Sequence, residues 1–567
     1  MTNWSWLVPL PVILPLVGAG LAVVAGRHTG WQRAVSVGAL TAALAASCAL
    51  MWATHTQGAQ VVAVGGWAPP QGITLVADRL AALMLVVSTT ITLGVLLFAI
   101  GQGRASDDYG DGEAPIPVFH PALLILMAGV ATTFVSGDLF HIYVGFEMLL
   151  VASFVLLTMG GTADRIRAGA NYVFVSLLSS MLFLLAIAMV YAACGTVNLA
   201  QLSERLEALP EGTRMVLQAL LLVGFAVKAA LFPMSGWLPD SYPTAPAPVT
   251  AVFAGLLTKV GVYAVIRMNT LLFPGGAFDT VLMWAALLTM IVGIVAALAQ
   301  DDVKRLLSFT LVSHIGFMIF GVALSNQAGL TGAIVYVAHH IIVQTALFLV
   351  VGLVERHTGS TSLALLGGVA RTAPLVAILF FVPAMNLAGI PPLSGFLGKV
   401  GLLQAAVDAG TPLAYLLIAG SLATSLLTLY AVSRVWSRAF WRTPGGDRVN
   451  NALADTDAVT AALPTPDASG LRAPTLPSHV AATPDGAAKG ASVGDLTPAG
   501  ALWVAARAAA ATQPIPRGMT LPAALIVVVS TALTLVAGPL VGYADAAAHE
   551  LRARTPYVSA VFPQGAP

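Results

Sequence analysis

Four charged residues sit well inside apolar runs of this chain. Glu147 lies in HIYVGFEMLLVASFVLL, Lys228 in LVGFAVKAALFPMSGWLPD, Lys259 in VFAGLLTKVGVYAVI, and Lys399 follows GIPPLSGFLG. His314, in FTLVSHIGFMIF, and the adjacent His339 and His340, in VYVAHHIIVQTALF, join them. Ionisable groups at membrane depth are costly and mark ion or proton paths. Burial favours an ammonium giving up its proton, and a nearby carboxylate favours keeping it. A lysine between these influences can bind and release a proton, and imidazole titrates near neutral pH. The set therefore reads as a relay. Glu147 and Lys228 act as a switch pair, Lys259 receives from Lys228, the histidines bridge, and Lys399 delivers to the opposite face. Taken singly, a lysine near a helix end can snorkel and a histidine can merely join two helices. Adjacent helical residues point about 100° apart, so one of His339 and His340 is expected to face the path. One carboxylate among three lysines is a poor cage for sodium, which wants several oxygen ligands. Protons are the expected cargo, with any sodium path elsewhere.

These residues need helices to hold them. The chain has 567 residues, 58% hydrophobic and 9% charged, against about 25% charged in soluble domains. It reads as an all-α polytopic membrane protein. With about 20 apolar residues per crossing, fourteen spans are expected, near 6–26, 35–54, 77–101, 119–136, 138–159, 168–194, 215–237, 247–268, 278–299, 305–324, 331–354, 374–404, 411–437 and 520–543. Asp138 is placed to cap the fifth. The N-terminal apolar run reads as a span, not a removed signal peptide. Cys48 and Cys194 form no spaced cluster, so no metal, haem or other cofactor is expected.

Two spans carry breaks. PMSGWLPD, from Pro233 to Asp240 and including Pro239, is echoed 159 residues later by PLSGFLGK, from Pro392, with Pro391 just before it. The prolines are expected hinges. The copies lie five spans apart, hence in opposite orientations, as in an inverted repeat whose broken helices meet near the midplane. The resulting division is 1–118 (three helices), 119–268 (first five-helix repeat), 278–440 (second, inverted), a disordered cytoplasmic loop at 441–519, a last span at 520–543 and a C-terminal tail at 544–567. The loop is rich in Ala, Pro, Thr, Asp and Gly, with a short surface helix expected near 499–511. Arginines and lysines of the short loops place both termini outside, with Arg267 counted among the outer loops.

The motifs GFEMLLVASF, KAALFPMSGWLPDSYPTAPAPVTAVFAGLLTKVGVYAVIR, KRLLSFTLVSHIGFM and GIPPLSGFLGK resemble the antiporter-like subunits shared by respiratory complex I and the multisubunit Mrp cation/proton antiporters. Within that family the chain is most similar to the D-type branch of the Mrp antiporters. The resemblance implies fourteen helices with two inverted five-helix repeats, other antiporter subunits as partners, and a key set matched by Glu147, Lys228, Lys259 and Lys399. It implies a transporter component in the cell membrane and not an enzyme. A redox-linked proton pump is the alternative, and a structural component with a dead channel a third reading. Two departures stand out. Gln344 occupies a position where much of the family has lysine, so His340 or water must bridge the halves. The 441–519 loop is unusually long.

Overall fold

A computed structural model describes residues 4–26, 28–109, 118–442 and 515–563. The expected loop helix at 499–511 and most of the 441–519 loop lie outside these residues. Apolar runs become helices because, in lipid, every backbone N–H and C=O must find a partner within its own segment. Among the described residues, twelve helices are long and apolar enough to cross a membrane, from Ser5–Val24 to Arg517–Leu535. Two further apolar helices, Phe119–Val135 and Pro374–Ala388, are shorter. The chain is a multi-pass membrane protein. Large apolar side chains such as Phe174, Met181 and Leu426 cover its outside. Two helices are enclosed along their length: Ala247–Leu272, which carries Lys259, and the central Gln327–Thr358, which carries His339 and His340. Gly261 brings the Lys259 helix against the end of the Lys228 helix. A methyl group there would lie 2.6 Å from Ala229 N.

Both breaks have the same internal wiring. The Lys228 helix, Glu211–Ala229, ends at Ala230, whose φ is 57°. Leu231 N–H returns to Ala226 O, and Met234 N–H to Leu231 O. In the second break, Pro374–Ala388 ends at Gly389, whose φ is 85°. Ile390 N–H returns to Met385 O, and Leu393 N–H to Ile390 O. Leu231 N–H to Ala226 O with Ala230 N–H to Val227 O, and Ile390 N–H to Met385 O with Gly389 N–H to Asn386 O, are the paired bonds around a left-handed residue with which helices ordinarily stop. Pro233 lies in the first turn and Pro391–Pro392 in the second, with cis bonds before Pro233 and Pro392. Pro239 does not mark a hinge: it lies within the short helix Trp237–Ser241. The helices end at Ala230 and Gly389, just ahead of the prolines, because the left-handed residue ends the hydrogen-bond ladder first. A second correspondence joins the halves. Asp138 bridges to Asn198 and caps Leu139–Thr158; Asp302 bridges to Ser362 and caps Val303–Ala323.

The C-terminus departs from expectation. The last span ends at Leu535, and residues assigned to a tail form two further helices, Ala537–Ala553 and Thr555–Val561. Polar anchors hold them down. Gln327 and Thr331 donate to Asp545, Arg79 pairs with Glu550 at 3.2 Å, and Arg554 pairs with Glu207. Arg267 is likewise no loop residue. It is buried in a bidentate pair with Asp78 at 2.6 and 2.9 Å, donates to Tyr263, and lies under the Tyr557 ring. It therefore does not report orientation by the loop-charge rule.

Removing one partner strands the other charge. Arg267→Met is expected to destabilise by about 3–5 kcal/mol in thermal unfolding of the detergent-solubilised protein, and Asp78→Leu on that background to recover most of the loss. Glu550 lies outside the spans. Burial, with Asp78 adding to it and Arg79 opposing, pushes its carboxyl from 4.5 up to about 6. The docked helix thus holds this proton more tightly than the free chain. Its contribution is complete below the free value and is lost as pH rises through about 6. Proteolytic nicking within 537–561 is expected to increase from about pH 5 to about pH 7, and Glu550→Gln to flatten that dependence.

Candidate functional site

The carboxylate of the site stands on Leu139–Thr158, started by the Asp138 cap on His141 N at 2.9 Å. Glu147 Oε1 is buried without a hydrogen-bond partner. Lys228, in the last turn before the first break, does not reach it. Its Nζ donates to Ser176 O at 3.3 Å and Ser180 Oγ at 3.2 Å, both on Ala163–Cys194. It also stands 5.9 Å from the ring centre of Phe146, the neighbour of Glu147. The expected switch pair is thus close but not joined, with the lysine parked on the adjoining helix.

Lys259 is fully buried. Its Nζ donates to Ala254 O at 2.5 Å. That carbonyl lies in a π turn, Phe253–Leu257. Widening a helix by one residue displaces carbonyls from the usual ladder, and such turns collect at functional sites. Here the turn supplies the oxygen that a buried ammonium needs.

The second half is built around the central helix. His314 Nδ1 and Tyr336 O–H share a 2.7 Å hydrogen bond, and the His314 ring lies 5.2 Å from that of His340. His339 points elsewhere: its Nδ1 shares a 2.9 Å bond with Ser394 Oγ in the second break. Both histidines therefore reach the site, by different partners, where one was expected. Lys399 Nζ donates to Leu387 O at 3.2 Å and Ala388 O at 2.9 Å, and lies 5.0 Å over the Phe317 ring. Those carbonyls close the preceding half-helix, whose partial negative end suits a cation.

Between Lys259 and His340 the helices run antiparallel. Ala247 packs on Gly352, and Gly255 approaches Thr345 so closely that a methyl would sit 2.3 Å from its Oγ1. Continuing that register places Lys259 level with residues near His340. Around this junction Thr258 Oγ1, Gln344 Oε1 and both His340 ring nitrogens are buried without protein partners. Buried polar atoms of this kind are normally satisfied by ordered water. Gln344 Nε2 donates to Leu307 O at 2.9 Å, so the glutamine is anchored and presents only its oxygen.

Sequence reasoning missed Tyr336, Asn386 and Ser394. Tyr336 was within reach, being one turn before His340 on the same face. Asn386 is a lone amide in FFVPAMNLAGI, a signal of the same kind as the lysines. The hydroxyl of Ser394 becomes meaningful only once the break folds.

Residues 136–428 match a family model described as NADH:quinone oxidoreductase/Mrp antiporter, TM. The chain is 39% identical over 439 residues to the D-type Na(+)/H(+) antiporter subunit of Alkalihalophilus pseudofirmus, spanning 77% of this chain and 87% of the relative. It is 37% identical over 438 residues to the D-type Na(+)/H(+) antiporter subunit of Bacillus subtilis, spanning 76% and 86%. It is similar to a chain of the Mrp complex from Dietzia sp. DQ12-45-1b, with TM-score 0.80 and 32% identity over 99% of this chain and 100% of that one. A chain of the membrane-bound sulfane sulfur reductase, an archaeal respiratory membrane complex, has TM-score 0.79 and 21% identity over 98% and 99%. That is a likeness of fold.

The two breaks differ in their left-handed residue. Gly389 tolerates its φ of 85°, and a methyl there would also lie 2.9 Å from Lys399 Cδ. Ala230 bears the same kind of φ with a side chain. Gly389→Ala is expected to destabilise by about 1–3 kcal/mol and Ala230→Gly to stabilise by about 1 kcal/mol, both read as shifts in thermal unfolding of the solubilised protein.

Proposed function

Because the chain belongs to the NADH:quinone oxidoreductase/Mrp antiporter membrane-subunit family, we propose that it is the proton-translocating component of a multisubunit Na+/H+ antiporter. Its partners are then the other Mrp subunits, and sodium passes through one of those. The carrying observation is the series of buried and half-buried titratable groups, Glu147, Lys228, Lys259, His340, His314, His339 and Lys399, on six helices, two of which adjoin the breaks. In this reading Lys228 leaves the Ser176–Ser180 site for Glu147 when its proton is to be held, and returns when the proton is passed to Lys259. Ordered water at Thr258 and Gln344 carries it to His340 and His314. His339 and Lys399 complete the route through the second break. Three lysines and one carboxylate along this line favour protons over sodium.

The recurring bond patterns at the breaks and at Asp138 and Asp302 support dividing the core into two inverted five-helix repeats, 119–268 and 278–440, although the helix of Lys259 continues to Leu272. The segment Ser5–Leu7 and the C-terminal helix Thr555–Val561 both pack against the strand Gln60–Ala63. That supports both termini lying on one side, taken as the outside from the loop arginines. The family description, which names NADH:quinone oxidoreductase beside the Mrp antiporters, keeps a redox-driven pump as the second reading.

Everted vesicles bearing the whole complex separate these readings. Sodium-dependent collapse of a pH gradient is expected for the wild type and is expected to vanish in assembled Lys228→Ala and Glu147→Ala variants. Acidification driven by a reductant, with no sodium response, would move the chain to the redox pumps. Unchanged exchange in either variant would overturn the relay. Lys399→Glu is expected to retain more exchange than Lys399→Ala, since a titratable group remains.

A further inference from the structure

Asn386 is fully buried in the last turn of Pro374–Ala388. Its Oδ1 accepts from Gly395 N at 2.9 Å, and its Nδ2 donates to Ser530 Oγ at 3.0 Å. It also bonds Ser394 Oγ at 3.3 Å. Ser394 Oγ in turn holds His339, and Ser394 N–H donates to Thr534 Oγ1 at 2.9 Å. The next two residues after Asn386 are Leu387 and Ala388, whose carbonyls hold Lys399. One side chain therefore ties together the turn that seats Lys399, the hydroxyl that orients His339, and the last span through Ser530. The fit is close. A methyl on Gly395 would lie 2.0 Å from Asn386 O and 3.0 Å from His339 Nε2.

We propose that Asn386 is a positioning residue that couples the Lys399 site to His339, with the last span, Arg517–Leu535, as its outer support. A neutral amide suits this task. It can accept from the backbone and donate to Ser530 at once, and it adds no charge that would trap the Lys399 proton. Lys399 is held by the carbonyls next to Asn386 and His339 by the hydroxyl it bonds, so a small shift of its turn alters both seats together. The proposal rests on the relay reading of these two groups.

Few titratable groups face this network. The central helix presents His339, Tyr336 and His340, Ser394–Ala409 presents Lys399, and Val303–Ala323 presents His314. Pro374–Ala388 has no titratable side chain, the last span has only Arg517 at its first residue, and Pro412–Val435 offers the Thr428 hydroxyl to His314. A carboxylate introduced at 386 would therefore act chiefly on Lys399 and His339.

The test is sodium-driven exchange against pH in everted vesicles carrying the complete complex, with complex abundance measured alongside. Asn386→Asp, nearly isosteric, is expected to move the profile toward alkaline pH by about one unit, the size of an ordinary charge-pair effect. A lower rate on an unmoved profile would mean a structural role only and would overturn the proposal. Should Asn386→Asp not assemble, a double-mutant cycle decides. Ser530→Ala and His339→Ala are expected to give losses that do not add, since both act through the Asn386–Ser394 link; additive losses overturn it. Lys399→Ala is run in parallel. Exchange persisting there refutes the relay itself, whereas loss there with an unmoved Asn386→Asp profile refutes only the positioning role.

Discussion

A helix broken at membrane depth leaves carbonyls and amides that no lipid can satisfy, and an ammonium at the same depth needs oxygens that no lipid can supply. Each problem resolves the other. At the second break the two carbonyls released by Leu387 and Ala388 are the acceptors of Lys399. In the middle of the protein the displaced carbonyl of the π turn receives Lys259. Lys399 and Lys259 are tolerated where they stand because the backbone around them is irregular, whereas Lys228 is held by Ser176 and Ser180 of the neighbouring helix. The rest of the architecture serves to keep these defects enclosed.

Enclosure explains the choice of helices. The segments bearing Lys259 and the paired histidines are surrounded throughout their apolar middle, while the outer helices turn apolar side chains outward. Close approach of helices is secured by glycines: Gly261 meets the backbone of Ala229, while Gly255 and Gly352 leave room for the side chains of Thr345 and Ala247. This tight contact sets the register that brings Lys259 level with His340. It also leaves Thr258 Oγ1 and Gln344 Oε1 buried without protein partners, so the tightly packed core is polar at this junction.

The C-terminal helices complete the enclosure from one end. Their contacts are polar and ionic: Asp545 with Gln327 and Thr331, Glu550 with Arg79, Arg554 with Glu207. They cover the buried Asp78–Arg267 pair, which lies two turns beyond Lys259 on its helix. Ion pairs bring geometric definition more than net stability, and definition is what the end of an enclosed charged helix needs.

Much of this was legible beforehand. Apolar run length marked the spans, since the bilayer's thickness imposes a length whatever the packing. The Glu147, Lys228, Lys259 and Lys399 positions stood out because a charge in an apolar run is conspicuous by type alone, and the Asp138 cap followed from a local rule. The breaks were read from proline, yet the helices end at Ala230 and Gly389, because ending a helix depends on which residue takes the left-handed conformation. Arg267 was read as a loop charge, because only folding reveals that Asp78 comes from a distant span to meet it. The helices at 537–561 are likewise held by anchors that lie hundreds of residues away in the sequence. The sequence by itself determined which groups lie at membrane depth and what chemistry they can do. The tertiary structure alone decided which of them meet, because hydrogen bonds act over about 3 Å and no periodicity of one helix specifies the register of its neighbour.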